Sequence, residues 1–341
     1  MNVSLKCGLA TVAFVLAAAA PSAAQNADWD KVVEAAKKEG KVSYYTSTLG
    51  APFHLDIIKA FQAKYGITIE LLDVRASEVD ERIRTEQASQ RYVADVVQHG
   101  SATLLGQYER PGILQPRGPV PNQKNLQSNF AEEAADSRIP TYVLPYGILI
   151  NTDLVKGADE PKSWHDLLNP KWKGKIISDD FRAQGGGFLW YAVTQDKFEK
   201  DFHEKLAQQG IIFSRDVGND ERRVAAGEYP LRIPQLASRF LTLKGLPVKL
   251  IIPEEGVTFV RFDMGILKGA PHPNAAKLMI DFYLSEQAQL IYANAGMGAV
   301  VNGVSDKVTG DAKSLGIKKY LGTNNPDTIN QQMDSAKAIY K

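Results

Sequence analysis

Apolar residues along this chain alternate between helical and strand-like spacing. From Trp29 to Ala36 they recur at helical intervals, with Asp28 placed to cap the helix and Gly40 to end it. The pattern then predicts strands at 42–46, 68–74 and 93–97, separated by helices at about 52–66 and 77–90. This order predicts a mostly parallel sheet, with ligands bound at the carboxyl ends of its strands.

The pattern changes after residue 107. Residues 107–138 are rich in Pro, Gly, Asn and Gln, as in a long surface connection, and 142–151 form an extended segment. A second α/β set follows, with strands at 175–178, 211–213, 231–233 and 248–252 and helices at 187–195 and 197–209. Two more helices are expected, capped by Asn274 and by Ser285. A chain of 341 residues with this pattern predicts two α/β domains.

The amino-terminal residues have the composition of a secretory signal. Lys6 precedes an uninterrupted run of small and apolar residues at 9–20, and Ser22, Ala23 and Ala24 form a small-x-small cleavage site. The apolar run is shorter than the ~20 residues that a membrane-spanning helix needs, which argues against an anchor. We therefore expect residues 1–24 to be a signal peptide, cleaved near Ala24, and the mature protein to be exported to the periplasm.

Composition excludes several classes of function. The only cysteine, Cys7, lies inside the expected signal, so disulfides, thiolate metal sites and cysteine nucleophiles are excluded from the mature chain. Lysine and arginine number 40 against 39 acidic residues. This balance argues against nucleic acid or a membrane surface as the partner.

A series of short motifs extends over nearly the whole mature chain. They are Tyr45-Thr46-Ser47, Ala94-Asp95-Val96-Val97, Leu144-Pro145-Tyr146-Gly147, Asn151-Thr152-Asp153-Leu154, Lys171-Trp172-Lys173-Gly174-Lys175-Ile176, Ala226-Gly227-Glu228, Lys268-Gly269-Ala270-Pro271-His272-Pro273-Asn274-Ala275-Ala276 and Ser285-Glu286-Gln287-Ala288-Gln289. No single motif is specific, but their order resembles the ferric and solute-binding proteins of ABC importers, which have the type II periplasmic binding fold.

This resemblance implies two α/β lobes, each a mostly parallel sheet flanked by helices, linked by a hinge and closing on a ligand. It implies a discontinuous first lobe, 25–141 plus 257–310, because 257–267 would return the chain to it. The second lobe would be 142–256, followed by a C-terminal helical segment at 311–341. The resemblance also implies a monomer that hands a small solute to the membrane permease subunits of an ABC importer.

Many members of that family bind ferric iron through two adjacent tyrosines, a histidine and an acid. Here residues 229–238, where the tyrosines would lie, contain no tyrosine pair. The histidine position falls near Thr48 or Leu49 and the acid position near Gly100. Tyr44 and Tyr45 are adjacent, but neighbouring side chains of a strand point to opposite faces. Ferric iron, or an iron chelate, is therefore the alternative ligand, and we assign no metal-binding residues and no cofactor.

The residues expected to line the cleft offer positive charge and amide donors instead. They are Thr46, Ser47, Arg75, His99, Tyr146, Asp180, Arg182, Gly185, Gly186, Gly187, Gln235 and Arg261. A glycine run that opens a helix lets backbone N–H groups approach an anion, and the helix dipole favours negative charge there. Arginine adds bidentate recognition of carboxylate or phosphate. The sequence thus predicts a small anionic solute: a carboxylate, a phosphate ester or a phosphonate.

These residues also have purely structural interpretations. A glycine triplet before a helix often relieves crowding, and an isolated arginine is often a salt-bridge partner. Adjacent carboxylates at a strand end, such as Asp179 and Asp180, are often solvated or capping. His99 can be a neutral residue of the core.

Catalysis and sensing are the remaining classes of function. The chain has no Gly-x-Ser-x-Gly elbow and no His-Glu-x-x-His, and the glycine triplet lacks the Lys-Ser/Thr of a phosphate-binding P-loop. An enzyme is therefore not expected. A protein that reports its ligand to a receptor would have the same fold and cleft, so the sequence leaves sensing open beside transport.

Overall fold

The computed structural model describes residues 21–48 and 50–341, with side chains from Asp28 onward. The expected signal segment, up to residue 20, lies outside the described residues. Helix α1 begins at Pro21, so Asp28 lies within it and the expected cap there is wrong; Gly40 follows its last residue, as expected. None of the described helices has the length and apolar character needed to cross a membrane.

Strands and helices alternate through the rest of the chain. The strands are β1 Lys41–Thr46, β2 Thr68–Asp73, β3 Val96–Gly100, β4 Leu114–Gln115, β5 Arg138–Asn151, β6 Ile176–Asp179, β7 Ile212–Ser214, β8 Leu231–Leu236, β9 Val248–Ile251, β10 Val257–Leu267, β11 Gly298–Ala299 and β12 Tyr320–Gly322. The α-helices are α1 Pro21–Glu39, α2 Pro52–Tyr65, α3 Ala76–Ser89, α4 Ser101–Thr103, α5 Ser128–Ala131, α6 Gly186–Lys197, α7 Phe202–Ala207, α8 Val217–Ala225, α9 Ala237–Phe240, α10 Pro273–Tyr283, α11 Glu286–Asn294 and α12 Ile329–Ile339.

The strands form one continuous 12-stranded sheet, whose two halves, one in each lobe, share the long strand β5. In lobe 1 the order is β2-β1-β3-β10-β5, with β1 parallel to β2 and β3. In lobe 2 the order is β7-β6-β8-β5-β9, with β6 parallel to β7 and β8. Only the pairs made by the crossing strands β5 and β10 within these orders are antiparallel. The expected fold, two α/β lobes with mostly parallel sheets flanked by helices, is confirmed.

The crossing strands connect the lobes in opposite directions. β5 leaves lobe 1 at its beginning, where Arg138 pairs with Gly265, and ends in lobe 2, where Asn151 pairs with Val248. β10 then returns the chain to lobe 1 over Val257–Leu267, as the family resemblance implied.

Each lobe has its own hydrophobic core. In lobe 1, Phe61 of α2 and Phe282 of α10 pack in the core beside the sheet, with ring centroids 5.5 Å apart. In lobe 2 the core surrounds Trp164 and Trp190, and Tyr340 at the end of α12 belongs to it. The C-terminal helix therefore packs on lobe 2, whereas the exact domain boundaries remain predictions.

Several expected element boundaries are wrong for identifiable reasons. β3 begins at Val96 and not at Val93, because the Glu86 carboxylate accepts the backbone N–H groups of Val93 and Ala94. The helix expected at 197–209 is interrupted, since α6 ends at Lys197 and α7 begins at Phe202.

The amino end of α10 also differs from expectation. This helix is capped at His272, because Asn274 instead lies in its first turn and donates from its side chain to Glu39. Ser285, by contrast, caps α11 as expected, accepting from the backbone N–H of Ala288.

Candidate functional site

The carboxyl ends of the parallel strands in the two lobes face each other. β3 runs in the same direction as β5 and ends toward lobe 2, whereas β8 runs against β5 and ends toward lobe 1. We call the ends of β1, β2 and β3 the lobe-1 edge and the ends of β6, β7 and β8 the lobe-2 edge; their last residues are Thr46, Asp73, Gly100, Asp179, Ser214 and Leu236. The space between these edges is the cleft.

The strand register sets the size of the cleft. Gly100 at the lobe-1 edge pairs with Phe262, which pairs with Tyr142 of β5, and Leu236 at the lobe-2 edge pairs with Tyr146. Tyr142 and Tyr146 are four positions apart, which corresponds to roughly 13 Å along an extended strand. A space of this width fits a small solute.

Four helices of at least nine residues begin at the two edges, beside the short helices α4 and α9. α2 and α3, of 14 residues each, follow β1 and β2, while α6 and α8, of 12 and 9 residues, follow β6 and β7. The amino terminus of a helix carries partial positive charge, so all four contribute positive potential to the cleft. All four have an acid nearby; for α2 it is Asp73, which accepts from Gly50 N just before the helix, while the first turn of α2 holds no acidic residue.

Buried polar groups lie where β1 leads into α2. Thr46 is fully buried and its Oγ1 has no hydrogen-bond partner among the described residues. The same holds for both ring nitrogens of His54, in the first turn of α2, and burial lowers the pKa of that ring to about 4. Asp73 accepts from Thr48 Oγ1 at 2.8 Å and Gly50 N at 2.6 Å. Ser47 is half-buried beside them.

Arg75 and His99 also lie at the lobe-1 edge, in different environments. Arg75 is exposed at the amino cap of α3 and makes no ion pair within the described chain. His99 is buried, its Nδ1 accepts from Gly100 N at 2.8 Å, and its Nε2 lies 3.8 Å from Asp80 Oδ1. Burial lowers the pKa of His99, so the ring is neutral near pH 7. The histidine therefore has the character of a polar core residue at the cleft rim.

At the lobe-2 edge the glycine triplet packs against Asp179 and Tyr146. Gly187 N donates to Asp179 Oδ2 at 2.8 Å, so this carboxylate occupies part of the amino terminus of α6. A Cβ on Gly187 would lie 2.5 Å from the carbonyl oxygen of Asp179, and one on Gly186 would lie 2.9 Å from Cε1 of Tyr146. The triplet thus has the structural role of relieving crowding, and it also brings Tyr146 to the start of a helix.

Tyr146 joins the crossing strand to the lobe-2 edge. Burial, followed by the charge of Asp179, raises the pKa of its phenol to about 12. The hydroxyl is therefore protonated at physiological pH and can donate a hydrogen bond. Because Tyr146 also pairs with Leu236 and Thr258, it connects both crossing strands to the cleft.

Asp180 and Arg182 pair with each other. Asp180 accepts from Arg182 Nε at 2.8 Å and from Arg215 Nη2 at 2.9 Å. The Arg182 guanidinium lies 4.6 Å from the ring centroid of Phe213, and its Nη1 donates to the carbonyl of Tyr340. These contacts attach the loop to β7 and to the C-terminus, and within the described residues none reaches Tyr146.

The amide of Gln235 is used entirely inside lobe 2. Its Oε1 accepts from Arg232 Nη1 at 3.1 Å and its Nε2 donates to Glu221 Oε1 at 2.7 Å. Glu221 also accepts from Arg239, at 2.8 and 2.6 Å. Arg232, Asp220 and Glu221 were missed by the sequence analysis. The available signal for Arg232 was a charged residue inside a short apolar strand.

Arg261 belongs to a buried ion network on β10. Its Nε donates to Asp263 Oδ1 at 2.8 Å, and its guanidinium also pairs with Glu133. Asp263 accepts in addition from Arg138 Nη1 at 2.7 Å. With two carboxylates bound, Arg261 stabilises the crossing strand at the cleft floor.

The described part of the cleft offers no cluster of metal ligands. Across residues 21–48 and 50–341 there is no group of three or more His, Cys, Asp or Glu side chains that could hold an ion. Leu236 and Ala237, at the end of β8, are apolar and hold no phenol.

Comparison with known proteins places the chain in a family. Residues 92–319 match the family model described as bacterial extracellular solute-binding protein, and the chain belongs to this family. The class of protein expected from the sequence motifs is thereby confirmed.

Relatives and solved structures agree on the class and differ in ligand. Iron uptake protein A1 of Synechocystis sp. is 27% identical over 269 residues, covering 70% of this chain and 69% of that protein. A putative 2-aminoethylphosphonate-binding periplasmic protein of Salmonella typhi is 26% identical over 261 residues, covering 71% and 72%. The structure of Trichodesmium IdiA (FutA) with iron and citrate has a TM-score of 0.71 at 19% identity, covering 89% of this chain and all of that one.

Proposed function

We propose that this protein is a periplasmic binding protein that captures a small anionic solute in its cleft and delivers it to the permease subunits of an ABC importer. The solute is a carboxylate, a phosphate ester or a phosphonate. The family and the relatives named above support the binding and delivery role. The anionic character of the solute rests on the chemistry of the cleft.

The observation that supports an anionic solute is that helix amino termini meet at the cleft. α2 supplies one that no side chain caps, next to the unpartnered Thr46 hydroxyl. Arg75 adds an exposed guanidinium at the same edge. From lobe 2, the protonated Tyr146 hydroxyl beside α6 is a further donor. An anion placed between these groups is stabilised from both lobes.

This arrangement also supports ligand-driven closure. Only a closed cleft lets one solute contact the lobe-1 edge and Tyr146 together. The solute therefore shifts the population toward closure by its differential affinity for the two states.

A ferric chelate is the second candidate. The Synechocystis relative is named as an iron uptake protein, and the Trichodesmium IdiA structure contains iron and citrate. A complex of ferric iron with more than one citrate ion is anionic, so it would use the same donors without needing the absent tyrosine pair.

A thermal-shift panel on the chain from Gln25 onward separates these ligands. The panel contains phosphate esters, phosphonates, carboxylates, citrate and ferric citrate. A ligand at ~100 times its dissociation constant adds about 2.7 kcal/mol to stability, a shift of several degrees for a protein of this size. A shift with a metal-free anion supports the proposal. A shift with ferric citrate and not with citrate alone replaces it with iron uptake.

Two arginine variants then test the location of the site. Arg75→Ala should weaken binding of the solute, because it removes an exposed cation from the lobe-1 edge. Arg182→Ala is the matched control, since its guanidinium is already bound to Asp180. Unchanged affinity in Arg75→Ala, or equal losses in both variants, would contradict this placement of the anion. Uptake of the solute is then measured in cells with and without the gene for this protein. Loss of uptake in cells that lack the gene indicates transport, and unchanged uptake indicates sensing.

A further inference from the structure

Next to the cleft, lobe 2 contains a group of buried polar residues. The proposed anion site does not include them, apart from Tyr146. We call Tyr146, Asp179, Asp220, Glu221 and Arg232 the lobe-2 cluster. Resting on the proposed function, we propose that the solute is a short zwitterion, whose anionic end binds the lobe-1 edge and whose primary ammonium group is received by the acids of this cluster, with Asp220 as the principal acceptor.

Asp220 is the residue that requires a partner. It lies near the start of α8, at the lobe-2 edge, and its side chain is fully buried. Neither carboxylate oxygen makes a hydrogen bond of ordinary geometry within the described residues. Burial raises the pKa of Asp220, and Ser214 and Arg232 nearby oppose that rise only in part. An unpartnered buried carboxylate is costly, and a hydrogen-bond donor from a ligand would remove that cost.

The acids of the cluster outnumber its cations. Arg239 neutralises Glu221 through two short hydrogen bonds. That leaves two carboxyl groups, those of Asp179 and Asp220, with Arg232 as the only cation among the five cluster residues. Arg232 is itself buried, makes no ion pair within the described chain, and has an unpartnered Nε. A cationic group is therefore the complement that the cluster lacks.

The cluster is adjacent to the cleft through Tyr146 and Asp179. Tyr146 and Asp179 both contact the glycines that open α6. Arg232 lies on β8, which pairs with β5 on one side and with β6 on the other. Asp179 is the last residue of β6 and half-buried at the lobe-2 edge. Asp179 is therefore the partly accessible acid of the cluster, whereas Asp220 is fully buried.

The cleft also limits the length of the solute. The two edges are roughly 13 Å apart, as the positions of Tyr142 and Tyr146 on β5 indicate. A hydrogen bond at each end of the solute takes up about 3 Å of this distance. About 7 Å remains, which suits an anion and an amine separated by two to four carbons. The competing occupant of the cluster is an internal water molecule, which would satisfy Asp220 without any role for the ligand.

Matched ligand pairs distinguish a zwitterion from a simple anion. Binding to the unmodified protein is measured by calorimetry for 2-aminoethylphosphonate against ethylphosphonate and for 4-aminobutyrate against butyrate. We expect the amino compound of at least one pair to bind on the order of tenfold more tightly, as for one charge-assisted hydrogen bond. Asp220→Asn, which keeps the shape, should abolish this preference and leave affinity for the other member unchanged.

Asp216→Asn is the control, because Asp216 is exposed at the cap of the same helix. It should retain the preference for the amine. Equal binding within both pairs, or a preference that survives Asp220→Asn, overturns the inference and leaves anion binding intact. If neither these pairs nor any anion of the thermal-shift panel binds, the proposed function itself fails.

Discussion

The phenol ring of Tyr146 lies so close to Gly186 that any β-carbon at Gly186 would approach it to 2.9 Å. A strand that crosses between the lobes thus touches the first residue of a helix in lobe 2. The position of α6 relative to β5 depends on the absence of one side chain. The donor groups of the cleft are consequently sensitive to substitutions that add very little volume.

Gly186→Ala should therefore impair both stability and binding. The added methyl group displaces Tyr146 or the start of α6, and overpacking of this kind costs roughly 1–3 kcal/mol. Urea denaturation measures the stability and calorimetry the affinity. Gly106→Ala is a matched control, because no atom lies within 4 Å of a Cβ at that position. Equal, small effects in both variants would show that the contact between Tyr146 and Gly186 is not restrictive.

Tyr146→Phe should separate binding from stability. The phenol makes no hydrogen bond within the described residues, so stability should change by less than about 0.5 kcal/mol. A donor to an anion is worth more, and we expect roughly a tenfold or greater loss of affinity. Tyr65→Phe, at the end of α2, should change neither quantity. If Tyr146→Phe binds the solute with the affinity of the wild type, the hydroxyl of Tyr146 does not contact the solute.

Stability should fall as the pH is lowered from about 6.5 toward 4. Burial lowers the pKa of His54 to about 4 in the folded state, whereas an unfolded histidine titrates near 6.5. The unfolded chain therefore takes up the proton first, and stability present above pH ~6.5 is lost as the pH falls to ~4. The difference between the folded and unfolded pKa values of His54 corresponds to a loss of about 3 kcal/mol in the free energy of unfolding.

His54→Phe tests this assignment, since a phenyl ring suits the aromatic contacts of His54 with Tyr44, Phe53 and Tyr283. Denaturation at a series of pH values should show a weaker loss of stability below pH 6.5. Some loss remains, because burial also lowers the pKa of His203, to about 3. An unchanged pH profile in the variant would mean that His54 does not contribute.

Asp263→Ala should be severely destabilising. Asp263 is fully buried and receives hydrogen bonds from both Arg138 and Arg261. Removing it leaves two buried guanidinium groups without their shared partner, which typically costs about 3–5 kcal/mol. Asp56→Ala, at an exposed pair with Lys59, should cost less than about 1 kcal/mol in the same denaturation experiment. Comparable losses would show that the network is not a structural unit.

The sequence predicted the elements whose hydrophobic pattern is local. The strands predicted at 42–46 and 68–74 are found at Lys41–Thr46 and Thr68–Asp73, and β5 extends the expected segment only at its amino end. Where a distant side chain competes for the backbone, prediction failed. The Glu86 carboxylate takes the two N–H groups that would have started β3 earlier, and no local pattern reveals that contact.

The candidate site was less accessible to sequence reasoning. Arg182 was expected in the cleft because of its position after a strand, but its role depends on Tyr340, 158 positions away. Asp220 and Arg232 could not be singled out, because their lack of partners is a property of three-dimensional packing. Tyr146 was among the residues expected to line the cleft. Its contact with Gly186 could not be predicted, because that contact forms only when β5 packs against the start of α6.

The placement of α12 has a consequence for the order in which the chain folds. Lobe 2 takes its sheet and most of its core from the middle of the sequence, but Ala336 and Tyr340 complete that core from the far end. Lobe 1 likewise needs β10, which follows lobe 2 in the chain. Neither lobe can finish folding from a contiguous stretch, and the core of lobe 2 stays incomplete until α12 has been synthesised.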